Sequence, residues 1–295
     1  MKRTNSIIIA AAALSAVLCL AACNKYDFTG AVWGSSAPVD TRFMQSQQYN
    51  EQQGLQTVYA DSNNYRVYAF GDCHLDGSTR NLDRFVADYL ADSQAAPFAL
   101  CVGDLIYDTG HYDLFYDHTK KLLPGNERRL FICAGNHDIF FGQWEEFRKR
   151  YGTSTYCFEV VTPSAGKDLY IALDSASATL GSRQFKWLEQ LLESKRSGYR
   201  NVIVFTHTNY YMRDYSQGIG GNYNLEETME HTALFARYNV NLVICGHDHF
   251  KEQTMFKGVM YNTLDALNDT MPQASYAVFT IGGDSTGVVY VNMNR

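Results

Sequence analysis

Proline is scarce, with five residues in 295, and the aromatic share is 14%. That pairing excludes a mostly disordered or proline-rich extended chain. Basic runs are short too, none longer than Arg148-Lys149-Arg150. With a formal net charge of -6 and no extended Lys/Arg stretch, the chain has no electrostatic footprint for a polyanion, and no nucleic-acid partner is expected. The apolar stretch IIIAAAALSAVLCL, Ile7 to Leu20, falls short of the roughly 18 to 20 residues that a bilayer span needs. A disulfide framework is poorly supplied. Of seven cysteines, Cys19 lies in that apolar stretch and Cys23 ends it, leaving Cys73, Cys101, Cys133, Cys157 and Cys245. Five cannot all pair within one chain, and three sit in strand-like runs where a thiol serves as a small buried hydrophobe.

What is present is enough apolar residue, 46%, against 19% charged, to bury the core of one large domain. The start reads as an address. Lys2 and Arg3 precede the apolar stretch, and Leu20-Ala21-Ala22-Cys23 closes it in the manner of a bacterial lipobox. The expectation is a lipoprotein signal peptide over 1–22 and acylation of Cys23. That would place the protein in the cell envelope, held on a bacterial membrane without crossing it. Residues 23–64 are rich in Gly, Ser, Gln and Asn and read as a tether and N-terminal extension, with a short helix over Val39 to Gln53.

From residue 65 to 295, strand-like and helix-like segments alternate. Helical patterns cover Asn81 to Ala91, Phe141 to Tyr151, Arg183 to Lys195 and Leu225 to Tyr238. Between them run YRVYAFGD, FALCVGD, RLFICAGN, TYCFEVV, LYIALDS, NVIVFTH and NLVICGHDH, and the chain closes on YAVFTIGG and GVVYVNM. This predicts an α/β domain with a largely parallel sheet and an antiparallel addition at its end.

Five of these runs end in polar side chains: GDCH at Gly71, GDLIY at Gly103, GNHD at Gly135, THTN at Thr206 and GHDH at Gly246. Carboxyl ends of parallel strands share one edge, so the five clusters are delivered to one crevice. Asp72 and His74 project to one side of an extended segment, and His247 and His249 repeat the spacing. Imidazole, carboxylate and amide oxygen without a thiolate describe a divalent first-row metal site. Asp72, His74, Asp104, Asn136, His207, His247 and His249 are too many ligands for one ion. Two divalent ions, Mn, Fe, Zn or similar, sharing Asp104 is the economical reading. Such a pair attracts a phosphoryl group and holds a hydroxide nucleophile at neutral pH.

In this order the blocks D-x-H, GD, GNH(D/E), H and GHxH resemble the calcineurin-like metallophosphoesterase superfamily, from Asp72 to His249. The resemblance implies an α/β/β/α sandwich with the metal site at strand carboxyl ends, over 65–295. It implies one ion held by Asp72, His74, Asp104 and His249, and a second by Asp104, Asn136, His207 and His247. It makes His137 catalytic, either stabilising the transferring phosphoryl group or donating a proton to the leaving oxygen, for which imidazole is suited. GDLIY is also similar to purple acid phosphatases, where Tyr107 matches their tyrosine ligand. Those enzymes have Gly where this chain has His74, so Tyr107 is assigned to supporting ligands, as is Asp138.

Around the centre, Tyr210, Tyr211, Tyr215 and Tyr223 of the glycine-rich loop after His207 are candidates for a substrate wall. His111, His118 and His231 are read as ordinary structural histidines, and Asp108 and Asp174 as capping or orienting groups. The function that follows is metal-dependent hydrolysis of a phosphorylated small molecule or lipid, monoester or diester. The alternative is a lipid-anchored binding protein that keeps fold and metals without turnover.

Overall fold

The computed structural model describes residues 37–122, 127–211, 223–283 and 286–294. The leader, Cys23 and Tyr215 lie outside the described residues, so the lipobox and part of the expected wall have no structural account. Among the described residues, no helix is long and apolar enough to cross a membrane.

Two sheets stack face to face. One has seven strands in the order β1 (Gln56–Tyr59), β5 (Tyr156–Val161), β6 (Lys167–Leu173), β7 (Asn201–Thr206), β8 (Leu242–Cys245), β10 (Val259–Thr263) and β9 (Glu252–Phe256). The other has five, in the order β12 (Thr286–Asn292), β11 (Ser275–Ile281), β2 (Tyr65–Phe70), β3 (Ala95–Cys101) and β4 (Arg129–Ile132). β2, β3 and β4 run parallel, as do β6, β7, β8 and β10, while β11 and β12 add antiparallel strands at an edge.

The central strands of both sheets are buried on both faces, so each sheet needs a cover. Val67, Leu100, Phe98 and Phe131 of one sheet meet Phe158, Tyr170, Ile203 and Phe205 of the other, with Phe131 and Phe158 stacked at 3.8 Å. Outside the five-stranded sheet pack α2 (Arg80–Ala91), α3 (Tyr112–Thr119) and α4 (Trp144–Tyr151), through Phe85, Tyr89, Phe115 and Phe147. Outside the seven-stranded sheet pack α5 (Gly181–Lys195) and α6 (Leu225–Arg237), through Leu188, Leu192, Leu234 and Phe235. The result is the α/β/β/α sandwich expected from the resemblance. The five remaining cysteines are free, and all but Cys157 are buried.

The helix expected over Val39–Gln53 is present, and one reading needs correcting: Gln56–Tyr59, read as tether, is a strand built into the fold. β1 pairs in parallel with β5, and α1 (Val39–Gln53) is pinned by Arg42. That fully buried guanidinium grips Asp174 with two bonds, from Nε at 2.8 Å and Nη2 at 2.9 Å, and Nη1 donates to the Ala37 carbonyl at 2.7 Å. Asp174 is therefore the partner of Arg42. Removing one side of a buried ion pair strands the other charge, so Arg42→Ala is expected to cost roughly 3 to 5 kcal/mol in urea unfolding. A cost under about 1 kcal/mol, the surface-pair range, would mean that α1 is not docked in solution.

Candidate metal centre

Every expected ligand leaves a strand end: Asp72 and His74 after β2, Asp104 after β3, Asn136 after β4, His207 after β7, and His247 and His249 after β8. Three of these strands belong to one sheet and two to the other, so the crevice spans the facing edges of the sandwich. The glycines of the motifs make room for this meeting. A Cβ at Gly135 would run into the Asp104 carboxylate, and one at Gly246 into that of Asp72. Asp72, His74, Asp104, His247 and His249 all have positive φ, from 43 to 75°. They are five of the nine non-glycine residues in that conformation among the described residues. Backbone strain gathered in one place points to function.

The side chains converge as two linked sets. The ligand atoms of Asp72, His74 and His249 lie within 4.8 Å of one another, as do those of Asp104, His207 and His247. His74 Nε2 is 2.9 Å from His249 Nε2. His207 Nε2 is 2.9 Å from Asn136 Oδ1 and 3.1 Å from His247 Nδ1. Between the sets sits Asp104, whose Oδ2 is 3.5 Å from His74 Nε2 and 3.3 Å from His207 Nε2. Its other oxygen accepts the His137 backbone N–H at 2.9 Å, which leaves Oδ2 for the site.

The donor chemistry fits divalent cations. His207 Nδ1–H donates to the Val102 carbonyl at 2.9 Å, so its Nε2 faces inward. Burial pushes His74 and His247 down to about 3, which keeps both imidazoles neutral and able to ligate. Burial would raise Asp104, but His207 first, then His74 and His137, hold it below the usual carboxylate range. Burial would lower His207, yet the Asp104 carboxylate carries it up to about 9. Burial raises Asp72. Two buried carboxylates and imidazole nitrogens turned toward one another form a cluster that cations would relieve.

Asp138 bonds two of the motif turns to each other. Fully buried, it accepts from the backbone N–H groups of Asp104, Leu105 and Gly135 at 2.9, 3.0 and 2.8 Å, tying the GD turn to the GNHD turn. Burial and the adjacent Asp104 push its carboxyl up to about 8. Tyr107 supports through its backbone, since its carbonyl accepts from His137 Nδ1–H at 2.6 Å while its ring is exposed. Asn268 was not foreseen. Its amide donates to the Cys73 carbonyl at 3.2 Å and braces the first turn, a role nothing in TLDALND announces.

Of the expected substrate wall, the described tyrosines Tyr210, Tyr211 and Tyr223 pack against the protein. Tyr210 and Tyr223 are buried and stacked at 4.8 Å, against His231 and Phe235 of α6. Tyr211 packs on Phe256 and Tyr261. These rings gain more by covering the outer face of the seven-stranded sheet than by lining a cleft. The other histidines are structural: His231 is buried in that layer, His111 pairs with Asp108, and His118 pairs with Asp83.

The family model described as calcineurin-like phosphoesterase matches residues 65–251, more than half of the chain. No curated protein matches it. Among solved structures it is similar to GAP50, the anchor in the inner membrane complex of Plasmodium, at a TM-score of 0.60 and 13% identity, covering 78% of this chain and 85% of that one. It is also similar to the purple acid phosphatase PPD1 of yellow lupin (Lupinus luteus) seeds, at 0.59 and 16%, over 79% of this chain but only 52% of the lupin protein. At such identities these likenesses speak for the fold.

Proposed function

We propose, from the premise that this chain belongs to the calcineurin-like phosphoesterase family, that it hydrolyses phosphate esters at two divalent ions. Asp72, His74, Asp104 and His249 would hold one ion, and Asp104, Asn136, His207 and His247 the other. The carrying observation is the position of Asp104 Oδ2, within 3.5 Å of a histidine nitrogen from each set. Bound there, a pair of ions would supply Lewis-acid activation of water and neutralise charge on a phosphoryl group. The chain's own residues do the rest. Asp138 fixes the turns, the Val102 carbonyl sets the His207 tautomer, and the Tyr107 carbonyl holds His137 over the site with Nε2 left to meet a substrate oxygen. Scaffolds that have lost turnover tend to lose ligands, and all seven positions are filled here, so the binding-protein alternative is not favoured.

Elemental analysis and turnover test this. Two ions per chain are expected, with hydrolysis of para-nitrophenyl phosphate or its bis-ester lost on chelation and restored by Mn, Fe or Zn. A metal-loaded protein inert toward both, and toward nucleotides, sugar phosphates and phospholipid head groups, would overturn the proposal.

The lipobox-like Leu-Ala-Ala-Cys supports a further part of this reading, that Cys23 is acylated and tethers the enzyme to a bacterial membrane. Radiolabelled palmitate is expected in the wild type and absent from Cys23→Ala. Equal labelling, or none in either, would remove the anchor.

A further inference from the structure

The turn after Asn136, His137 and Asp138 carries two phenylalanines that the core does not use. Phe140 is 41% exposed and Phe141 is 77% exposed. Phe141 is also held at φ 53°, a left-handed backbone that a bulky residue adopts only at a cost. On the other side of His137 stands Tyr107, 58% exposed. These rings form a row leading out from the metal cluster. Centroids are 4.5 Å apart for His74 and His137, 5.3 Å for His137 and Phe140, and 6.2 Å for Phe140 and Phe141. Tyr107 is 5.6 Å from His137 and 6.3 Å from His74.

A lone exposed apolar side chain is ordinary and needs no explanation. Three together are different when two of them flank His137, the strained third stands next to Phe140, and His137 is locked in place by its bond to the Tyr107 carbonyl. We infer that Tyr107, Phe140 and Phe141 form a shelf that receives a planar aromatic group on the organic side of the phosphate ester. The inference rests on the phosphoesterase reading and names the substrate class of the same site. The rings of Tyr107 and Phe140 are tilted 37° and 50° to that of His137, an arrangement that offers faces and edges for offset or edge-on ring contacts. An acyl chain would need walls that enclose it, whereas these side chains stand open to water.

The test compares benzylphosphonate with cyclohexylmethylphosphonate, which match in charge and approximate size and carry no cleavable ester. Calorimetry on the mature, metal-loaded protein is expected to show the benzyl compound binding roughly two- to tenfold more tightly. Phe141→Leu and Tyr107→Ala should each move that ratio toward one; Phe141→Leu keeps an apolar side chain and removes only the ring. Equal affinities in the wild type, binding of neither compound, or a ratio unmoved in both variants would overturn the shelf. Tighter binding of octylphosphonate than of either would overturn it in favour of an acyl-chain site. Hydrolysis of benzyl phosphate is followed alongside. A preserved binding preference without hydrolysis would count against the phosphoesterase reading while leaving the shelf in place.

Discussion

Asp104→Asn is expected to empty the metal centre and lower turnover by more than roughly 100-fold. Loss of a residue that merely orients a metal ligand typically costs 10- to 100-fold in affinity or activity, and Asp104 is the one side chain assigned to both ions. The substitution is nearly isosteric. Asparagine keeps an oxygen to accept the His137 backbone N–H, now 2.9 Å away, so the turn need not rearrange. What changes is the Oδ2 position, where either ion would meet an N–H donor in place of an anion. A centre of two divalent ions and two buried carboxylates would also lose half its negative charge. Substituting His111 or His118, whose partners are the exposed Asp108 and Asp83, should leave metal content unchanged. His231 packs among aromatic rings, so its loss should register in stability and not in metal content. Elemental analysis is the deciding measurement. Two full-occupancy ions and normal turnover in Asp104→Asn would refute the dinuclear assignment.

The side-chain cluster was legible because each of its polar groups follows an apolar run directly, and a buried strand has no packing reason to end in Asn-His-Asp. The two-sheet architecture was legible only through the motif order. β7 and β8 read the same as β2 and β3, and nothing in their periodicity says that they belong to different sheets. The docking of α1 was hidden for a definite reason. Its buried face consists of Val39, Arg42, Phe43 and Ser46, so half of it reads as surface, and the partner that makes Arg42 a core residue is 132 positions away. β9 was missed because Glu252–Phe256 is an edge strand with no buried residue. Tyr210, Tyr211 and Tyr223 were misplaced because proximity in sequence to a ligand says little about the direction of a ring. The Phe140–Phe141 pair drew no notice, since two apolar residues after a strand look like the start of a buried helix until their exposure is known.

His137→Ala separates proton donation from charge stabilisation. The structure turns Asn136 toward His207, while a ring nitrogen of His137 lies within 4.8 Å of the ligand atoms of His74 and Asp104, so neighbouring residues face different halves of the centre. His137 Nδ1–H is committed to the Tyr107 carbonyl at 2.6 Å, which leaves Nε2 as the nitrogen able to carry a proton to a leaving oxygen. The backbone N–H that supports Asp104 survives truncation to alanine, so both ions should be retained. Turnover of an alkyl ester should then fall by roughly 10²- to 10⁴-fold, the range for loss of a general acid. The fall should be much smaller on para-nitrophenyl phosphate, because para-nitrophenolate is stable as an anion and needs little help from a proton. If His137 acted only by stabilising charge on the phosphoryl group, both esters would suffer alike, since that charge does not depend on the leaving group. A loss of metal in His137→Ala would sink both roles and make His137 a ligand of the His74 ion.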